Sequence, residues 1–182
     1  MEPHPAFFIT GDTHSGKTTA LRSVISKLPG YPDRLKGWTT PARFERNDHT
    51  GYDLEFIGRN RSLPFCRQQA TKGWVHHGRF WFNPGALQEG YRMLGSASPD
   101  TTSLIVIDEI GPFDLKGRLW GPFLKNLEKY EEIYLLLVVR TVLLEKVCKH
   151  WYISPVKIWN PAQEPEKETR FLETLKSCIR AK

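Results

Sequence analysis

The sequence predicts a three-layer α/β fold: a mostly parallel sheet, helices on both faces and a β-hairpin insert. Three observations carry that prediction. Apolar runs of strand length alternate with stretches of helical periodicity, the pattern of a parallel sheet covered on both sides. A glycine-rich turn, Gly11-Asp12-Thr13-His14-Ser15-Gly16-Lys17-Thr18, joins the first such strand to the first such helix. A later run, Leu104-Ile105-Val106-Ile107, is apolar at every position, as a strand buried on both faces must be, and it ends in Asp108 and Glu109.

Taken in order, Ala6-Phe7-Phe8-Ile9-Thr10 is a short apolar run closed by Gly11, a buried strand. In residues 16–28, Ala20, Leu21, Val24, Ile25 and Leu28 recur at helical spacing, and Pro29-Gly30 stops the helix. Over residues 37–82 the texture changes. Tyr52, Leu54 and Phe56 alternate with Asp53, Glu55 and Ile57, and turn clusters lie at 47–51 and 59–62. This period of two predicts an antiparallel hairpin insert, aromatic and basic, resting on the core sheet, with residues 78–82 as a further strand. Asn83-Pro84 reads as an N-cap followed by a proline in the first helical turn, and Gly95 ends that helix. Residues 114–130 are expected to be helical, with Leu119, Trp120, Phe123, Leu124 and Leu127 on one face. A buried strand at 134–139, a helix at 142–151, a short strand at 156–159 and an amphipathic helix at 164–179 complete the pattern. The 182 residues suit one domain, 1–182, with enough chain to bury a core without metal or disulfide staples.

Composition bounds the function classes. The net charge of +6 favours phosphate-bearing partners and suits nucleotides and nucleic acid alike. Cys66, Cys148 and Cys178 form no CxxC pair and no disulfide framework, so they are expected as small buried residues in a reducing compartment. Residues 1–5 lack a basic segment ahead of an apolar stretch, so no signal peptide is expected. The most apolar run, 133–139, is only about a third of a membrane span. The expectation is a soluble, cytoplasmic protein with no membrane partner.

The turn at 11–18 matches G-x-x-x-x-G-K-[ST] at every fixed position. Glycines let successive backbone N–H groups point inward at phosphate oxygens, and the following helix presents its positive end to the same anion. Lys17 reaches the β- and γ-phosphates and Thr18 offers a hydroxyl to magnesium (Mg2+). The nucleotide-binding set is Gly11, Asp12, Thr13, His14, Ser15, Gly16, Lys17, Thr18 and Thr19. In such folds the strand ending in Asp108 and Glu109 lies beside the first strand. Asp108 then holds the magnesium shell, and Glu109 polarises an attacking water. That second acid favours hydrolysis over transfer. The fold class is therefore the P-loop NTPase three-layer fold.

These segments resemble the small P-loop nucleoside-triphosphatase family first described from thermophiles, also called cancer-related nucleoside triphosphatases. Asp108-Glu109-Ile110-Gly111 followed by Phe113-Asp114-Leu115 is similar to that family's Walker B segment. Gly37-Trp38-Thr39-Thr40 with Arg43, Gly51-Tyr52-Asp53, Gly78-Arg79-Phe80 before Asn83, and Val138-Val139-Arg140 resemble further blocks in the same order. The resemblance implies slow hydrolysis of several nucleoside triphosphates, ATP and GTP among them, to diphosphates. The chain departs from the family in the loop interior Asp12-Thr13-His14-Ser15, at Pro112, and at Pro161 after Trp159-Asn160, where any role of Asn160 at the base comes into question.

An arginine in cis often neutralises charge on the transferred phosphoryl group. Arg43, Arg67, Arg79 and Arg140 are the candidates; Arg140, at the end of a core strand, is favoured as the catalytic partner of Lys17 and Glu109, and Arg79 comes next. His14 is expected to be tolerated at a solvent-facing position. The aromatics Trp38, Tyr52, Phe56, Trp74, Phe80 and Trp81 read either as a stacking surface for nucleic-acid bases or as the packed face of the hairpin. Two rival functions stay open: a nucleoside or nucleotide kinase, and a nucleotide-gated nucleic-acid-binding module.

Overall fold

In the computed structural model, which describes residues 2–180, ten strands form one sheet. Met1 of the leader expectation, and Ala181 and Lys182 at the chain's end, lie outside the described residues. In chain order the elements are β1 (His4–Gly11), α1 (Lys17–Ser26), β2 (Leu35–Thr39), β3 (Ala42–Glu45), β4 (Asp48–Phe56) and β5 (Ser62–Arg67). They continue with β6 (Val75–His77), β7 (Phe80–Phe82), α2 (Pro84–Gly95), β8 (Leu104–Ile110), α3 (Gly121–Leu124), β9 (Tyr134–Arg140), α4 (Leu144–Trp151), β10 (Ile153–Trp159) and α5 (Glu168–Arg180). The sheet runs β10-β1-β9-β8-β2-β4-β5-β7-β6, with β3 paired to β4; β9 stands between β1 and β8, so the strand that ends in Asp108 and Glu109 is not the direct neighbour of the first strand that the sequence predicts. Neighbours from β10 to β2 are parallel; from β2 outward every pairing is antiparallel.

The central strands are apolar throughout because both faces are covered. Alternate residues go to opposite sides. Phe8, Ile105 and Ile107 join one buried cluster with residues of α2 and Trp120; Phe7, Ile9, Leu104 and Val106 join another with residues of α1 and α5. The Asn83 carboxamide accepts a hydrogen bond from Gly85 N at 2.9 Å and opens α2 with Pro84 in its first turn, as the sequence predicts.

The insert departs from expectation. Residues 37–39 belong to β2, which pairs parallel with β8 (Leu35 opposite Leu104, Trp38 opposite Ile107), so the antiparallel addition begins at Ala42. It extends the core sheet edge to edge instead of resting on its face. Gly37 makes the junction: at φ +134 its backbone comes so close to β8 that an added Cβ would lie 1.8 Å from Val106 O.

The predicted helix at 114–130 is also broken. It is replaced by a 3-10 turn at Asp114–Lys116, the short α3, and a second 3-10 turn at Leu127–Tyr130. Gly117 and the Gly121-Pro122 pair interrupt it, and Asp114 gathers the loop. Its buried carboxylate accepts hydrogen bonds from Gly111 N and Trp120 N, both at 2.8 Å. The predicted apolar face still turns inward, with Trp120, Phe123, Leu124 and Leu127 buried. Trp120 packs 4.2 Å from Trp38 and stacks on Phe65 at 5.6 Å, centroid to centroid. Each such ring removes 150–250 Å2 from water, about 4–6 kcal/mol before entropy is subtracted. The last strand begins at Ile153 rather than 156. Pro155 sits in it because β10 is an edge strand, and the register with β1 shifts beside it.

Candidate nucleotide site

The parallel sheet delivers the loop after β1 to the N-terminus of α1. Gly16 adopts φ +82 at the helix N-cap, and no side chain caps it. The first turn contains no acidic residue. Its backbone N–H groups and the positive end of the helix are therefore left for an anion. Asp12, Thr13, His14 and Thr19 are exposed, whereas Lys17 is 5% exposed and its Nζ donates to Asp12 O at 2.5 Å across the loop. The Ser15 hydroxyl is buried without a partner among the described residues. A phosphate oxygen bound in the loop would satisfy it.

His14 keeps the loop turn at φ +59, a conformation that costs a non-glycine residue about 1–2 kcal/mol. Its ring lies edge-on to His49 of β4 at 5.4 Å, so the insert reaches the P-loop. Burial holds His49 below the ordinary histidine range, and the neighbouring His14 and Arg79 lower it further.

At the end of β8, Asp108 is 1% exposed. Its Oδ2 accepts from Thr18 Oγ1 at 2.8 Å and from Thr40 N at 2.9 Å. Burial pushes the Asp108 carboxyl up to about 6, opposed by those two hydrogen bonds. The Thr40 hydroxyl beside it is buried without a partner among the described residues. A carboxylate and a threonine hydroxyl converging beside an unsatisfied polar oxygen form a hard-oxygen donor set, which fits magnesium. Glu109 follows, half-buried, and Arg140 Nε donates to its Oε1 at 3.2 Å. Arg140 reaches that point because it is the β9 partner of Gly11, the residue that opens the loop.

Thr13, Thr18, Glu109 and Arg140 thus line one cavity of about 540 Å3. Its lining also includes aromatic side chains from the insert and from the loop that Asp114 gathers.

The other sequence candidates separate clearly. Arg67 is held by Tyr52 O and Cys66 O at 2.8 Å each and by Asp53 at 2.5 Å, a bracing role inside the insert. Arg43 is exposed on β3. Arg79 is exposed at the cavity rim, with its guanidinium 4.8 Å from the Phe80 ring centroid. Asn160 Oδ1 accepts from Ala162 N at 3.2 Å within the turn. Of the aromatics, Trp38 and Phe56 are buried core, Tyr52 and Phe80 line the cavity, and Trp81 packs on His76 at 4.8 Å. Thr40 and Asp114 are residues whose part the sequence reading missed. Both lie inside segments that carried the family resemblance, which was the available signal. No helix among the described residues is long and apolar enough to cross a membrane.

Comparison with known proteins bears on the fold and the family. A nucleoside-triphosphatase THEP1 of Archaeoglobus fulgidus is 24% identical over 167 residues, 91% of this chain and 97% of that protein. The crystal structure of THEP1 from Aquifex aeolicus superposes with a TM-score of 0.65 at 18% identity, covering 94% of this chain and 99% of the other. The solution structure of a human cancer-related nucleoside triphosphatase gives 0.64 at 20% identity, covering 98% of both. At these identities the two structures establish a shared fold. The family model described as NTPase matches residues 6–159, from the third residue of β1 to the last residue of β10. Since that span takes in the phosphate loop and the acidic end of β8 alike, the chain belongs to this NTPase family.

Proposed function

We propose that the chain hydrolyses nucleoside triphosphates, ATP and GTP among them, to diphosphate and phosphate in the presence of magnesium. The observation that carries this reading is Glu109. It directly follows the buried Asp108, is fixed by Arg140 at 3.2 Å, and opens onto the cavity wall shared with Thr13 and Thr18. The names of the curated relatives, nucleoside-triphosphatase, support the same reading.

The loop N–H groups and Lys17 hold the β- and γ-phosphates, Lys17 exchanging the Asp12 carbonyl for phosphate oxygen. Thr18 and Asp108 would hold magnesium, which when bound supplies positive charge to the phosphate oxygens. Glu109 accepts a hydrogen bond from the attacking water and orients it toward the γ-phosphorus. Arg140 keeps the Glu109 carboxylate in place and brings a guanidinium beside the developing charge.

The test is phosphate release from ATP, GTP, CTP and UTP with magnesium, in wild type and Glu109→Gln, alongside affinity for a fluorescent nucleotide. Release should fall by at least about 100-fold in the variant with affinity retained. Unchanged release in Glu109→Gln would remove the carboxylate from the mechanism and overturn this reading.

A further inference from the structure

A hydrolase needs room for one water beside Glu109. This chain has there, the space of the terminal phosphate included, a cavity of about 540 Å3, within the range of small-molecule sites. Its lining includes Thr13, Thr18, Glu109 and Arg140, the groups that would meet the γ end of a triphosphate whose β- and γ-phosphates lie on Lys17. Beyond them the lining changes character, to Tyr52, Phe65, Phe80, Phe82, Phe113 and Leu119. The rings brace one another edge to face: Tyr52 on Phe80 at 5.8 Å, Phe80 on Phe82 at 6.3 Å, Phe82 on Phe113 at 6.0 Å.

The segments that carry these rings are tied to one another. Gly78, at φ +60, passes so near Phe113 that an added Cβ would lie 2.9 Å from the ring. His77 next to it bonds Arg118 at 2.9 Å, joining the insert to the loop after β8. The cavity also has a cation at its rim, Arg79. Apolar aromatic walls disfavour water and favour a flat ring, while the polar end faces the phosphoryl group.

We propose that this cavity is an acceptor site, and that the chain also transfers the γ-phosphoryl group to the hydroxyl of a flat heterocyclic alcohol of nucleoside size. The inference rests on the nucleotide reading above and adds a second substrate to the same centre. In the transfer step the acceptor oxygen bonds to the γ-phosphorus. The bond from that phosphorus to the β,γ-bridging oxygen breaks, and its electron pair leaves with the nucleoside diphosphate. The hydroxyl proton passes to Glu109 and then to solvent. Alcohol and nucleoside triphosphate become phosphate monoester, nucleoside diphosphate and a proton. Glu109, which favours hydrolysis when water is its only neighbour, can take the proton of an alcohol seated in the room beyond it.

The experiment supplies γ-labelled ATP or GTP and magnesium with adenosine, guanosine, cytidine, uridine, thymidine or pyridoxine at millimolar concentration. Free phosphate and phosphorylated acceptor are resolved chromatographically. The expected result is label on at least one acceptor, with free phosphate falling as that acceptor rises. Phe80→Leu should raise the acceptor KM by about tenfold while acceptor-free phosphate release stays within about twofold of wild type. Should that variant fold poorly, displacement of label from phosphate to acceptor in wild type decides the matter alone. Label confined to free phosphate with every acceptor overturns the proposal and leaves hydrolysis standing. Label on acceptor with no release in its absence upholds this proposal and sinks the hydrolase reading.

Discussion

Arg140 offers the sharpest separation between structural and catalytic roles. Its side chain is 43% exposed and that of its partner Glu109 is 32% exposed. A pair so accessible to water contributes about 0–1 kcal/mol to stability. Arg140→Ala should therefore lower the melting temperature by no more than about 2–4 °C in a chain of this size. An arginine that neutralises the transferred phosphoryl is worth about 10^3- to 10^5-fold in turnover. That is about 4–7 kcal/mol of barrier, several times any stability effect. The assay is steady-state phosphate release beside thermal unfolding, for Arg140→Ala, Glu109→Gln and the double variant. The expected outcome is a loss of at least about 10^3 in kcat for Arg140→Ala, with KM for the nucleotide changed only a few-fold. The double variant should be slower than Glu109→Gln alone, because the guanidinium acts on the phosphoryl as well as on the carboxylate. A double variant no slower than Glu109→Gln would reduce Arg140 to a positioning residue for Glu109. Turnover of Arg140→Ala within about tenfold of wild type, with an unchanged melt, would refute the reasoning altogether.

Two further perturbations test the frame that holds the site. Burial lifts the Asp114 carboxyl from 3.8 to about 7, so the native state binds its proton more tightly than the unfolded chain does. Through this group stability is greatest below about pH 4 and declines as pH rises to about 7, by as much as about 4 kcal/mol. Urea unfolding from pH 4 to 8 should show that decline in wild type and a flatter profile in Asp114→Asn, which also loses about 1–3 kcal/mol where an amide NH2 faces Gly111 N or Trp120 N. Parallel profiles for the two proteins would contradict the assignment. At Gly37 the obstacle is backbone, Val106 O, which no rotamer change can relieve. Gly37→Ala should cost at least about 3 kcal/mol in urea unfolding, and a melt within about 3 °C of wild type would show that β2 need not approach β8 so closely.

Much of the fold is written in signals that act over a few residues. The uniformly apolar β8 and β9 and the glycine loop at 11–18 are read from neighbours alone, and so is the Asn83-Pro84 cap. The roles proposed for Lys17, Thr18, Asp108 and Glu109 rest on the same local patterns, and the structure brings Thr18 and Asp108 to 2.8 Å. What the sequence hid is non-local. Trp38 and Thr39 look like the start of an antiparallel run because an aromatic and a β-branched residue suit any strand. Only the pairing with β8, which Gly37 permits, places them in the parallel core. The 114–130 stretch has the periodicity of a helix, yet Asp114 draws off the N–H groups of Gly111 and Trp120 into one buried carboxylate, and local periodicity carries no trace of that competition.

The same buried carboxylate ties chemistry to architecture. Gly111 stands two residues beyond Glu109, so the hydrogen bond from its N–H to Asp114 fixes where the acidic end of β8 leaves the sheet. Trp120, held by the other oxygen, packs on Trp38 of β2 and on Phe65 of β5, the strand that lends Phe65 to the aromatic cavity. Gly90 of α2 gives the indole its space, since an added Cβ there would lie 2.5 Å from the ring. One knot therefore sets both the position of Glu109 and the shape of the cavity before it. Disturbing the knot must move stability, hydrolysis and any acceptor transfer together. Arg140 and Phe80 lie outside it, which is why substitutions there can separate those three properties and substitutions at Trp120 or Gly90 cannot.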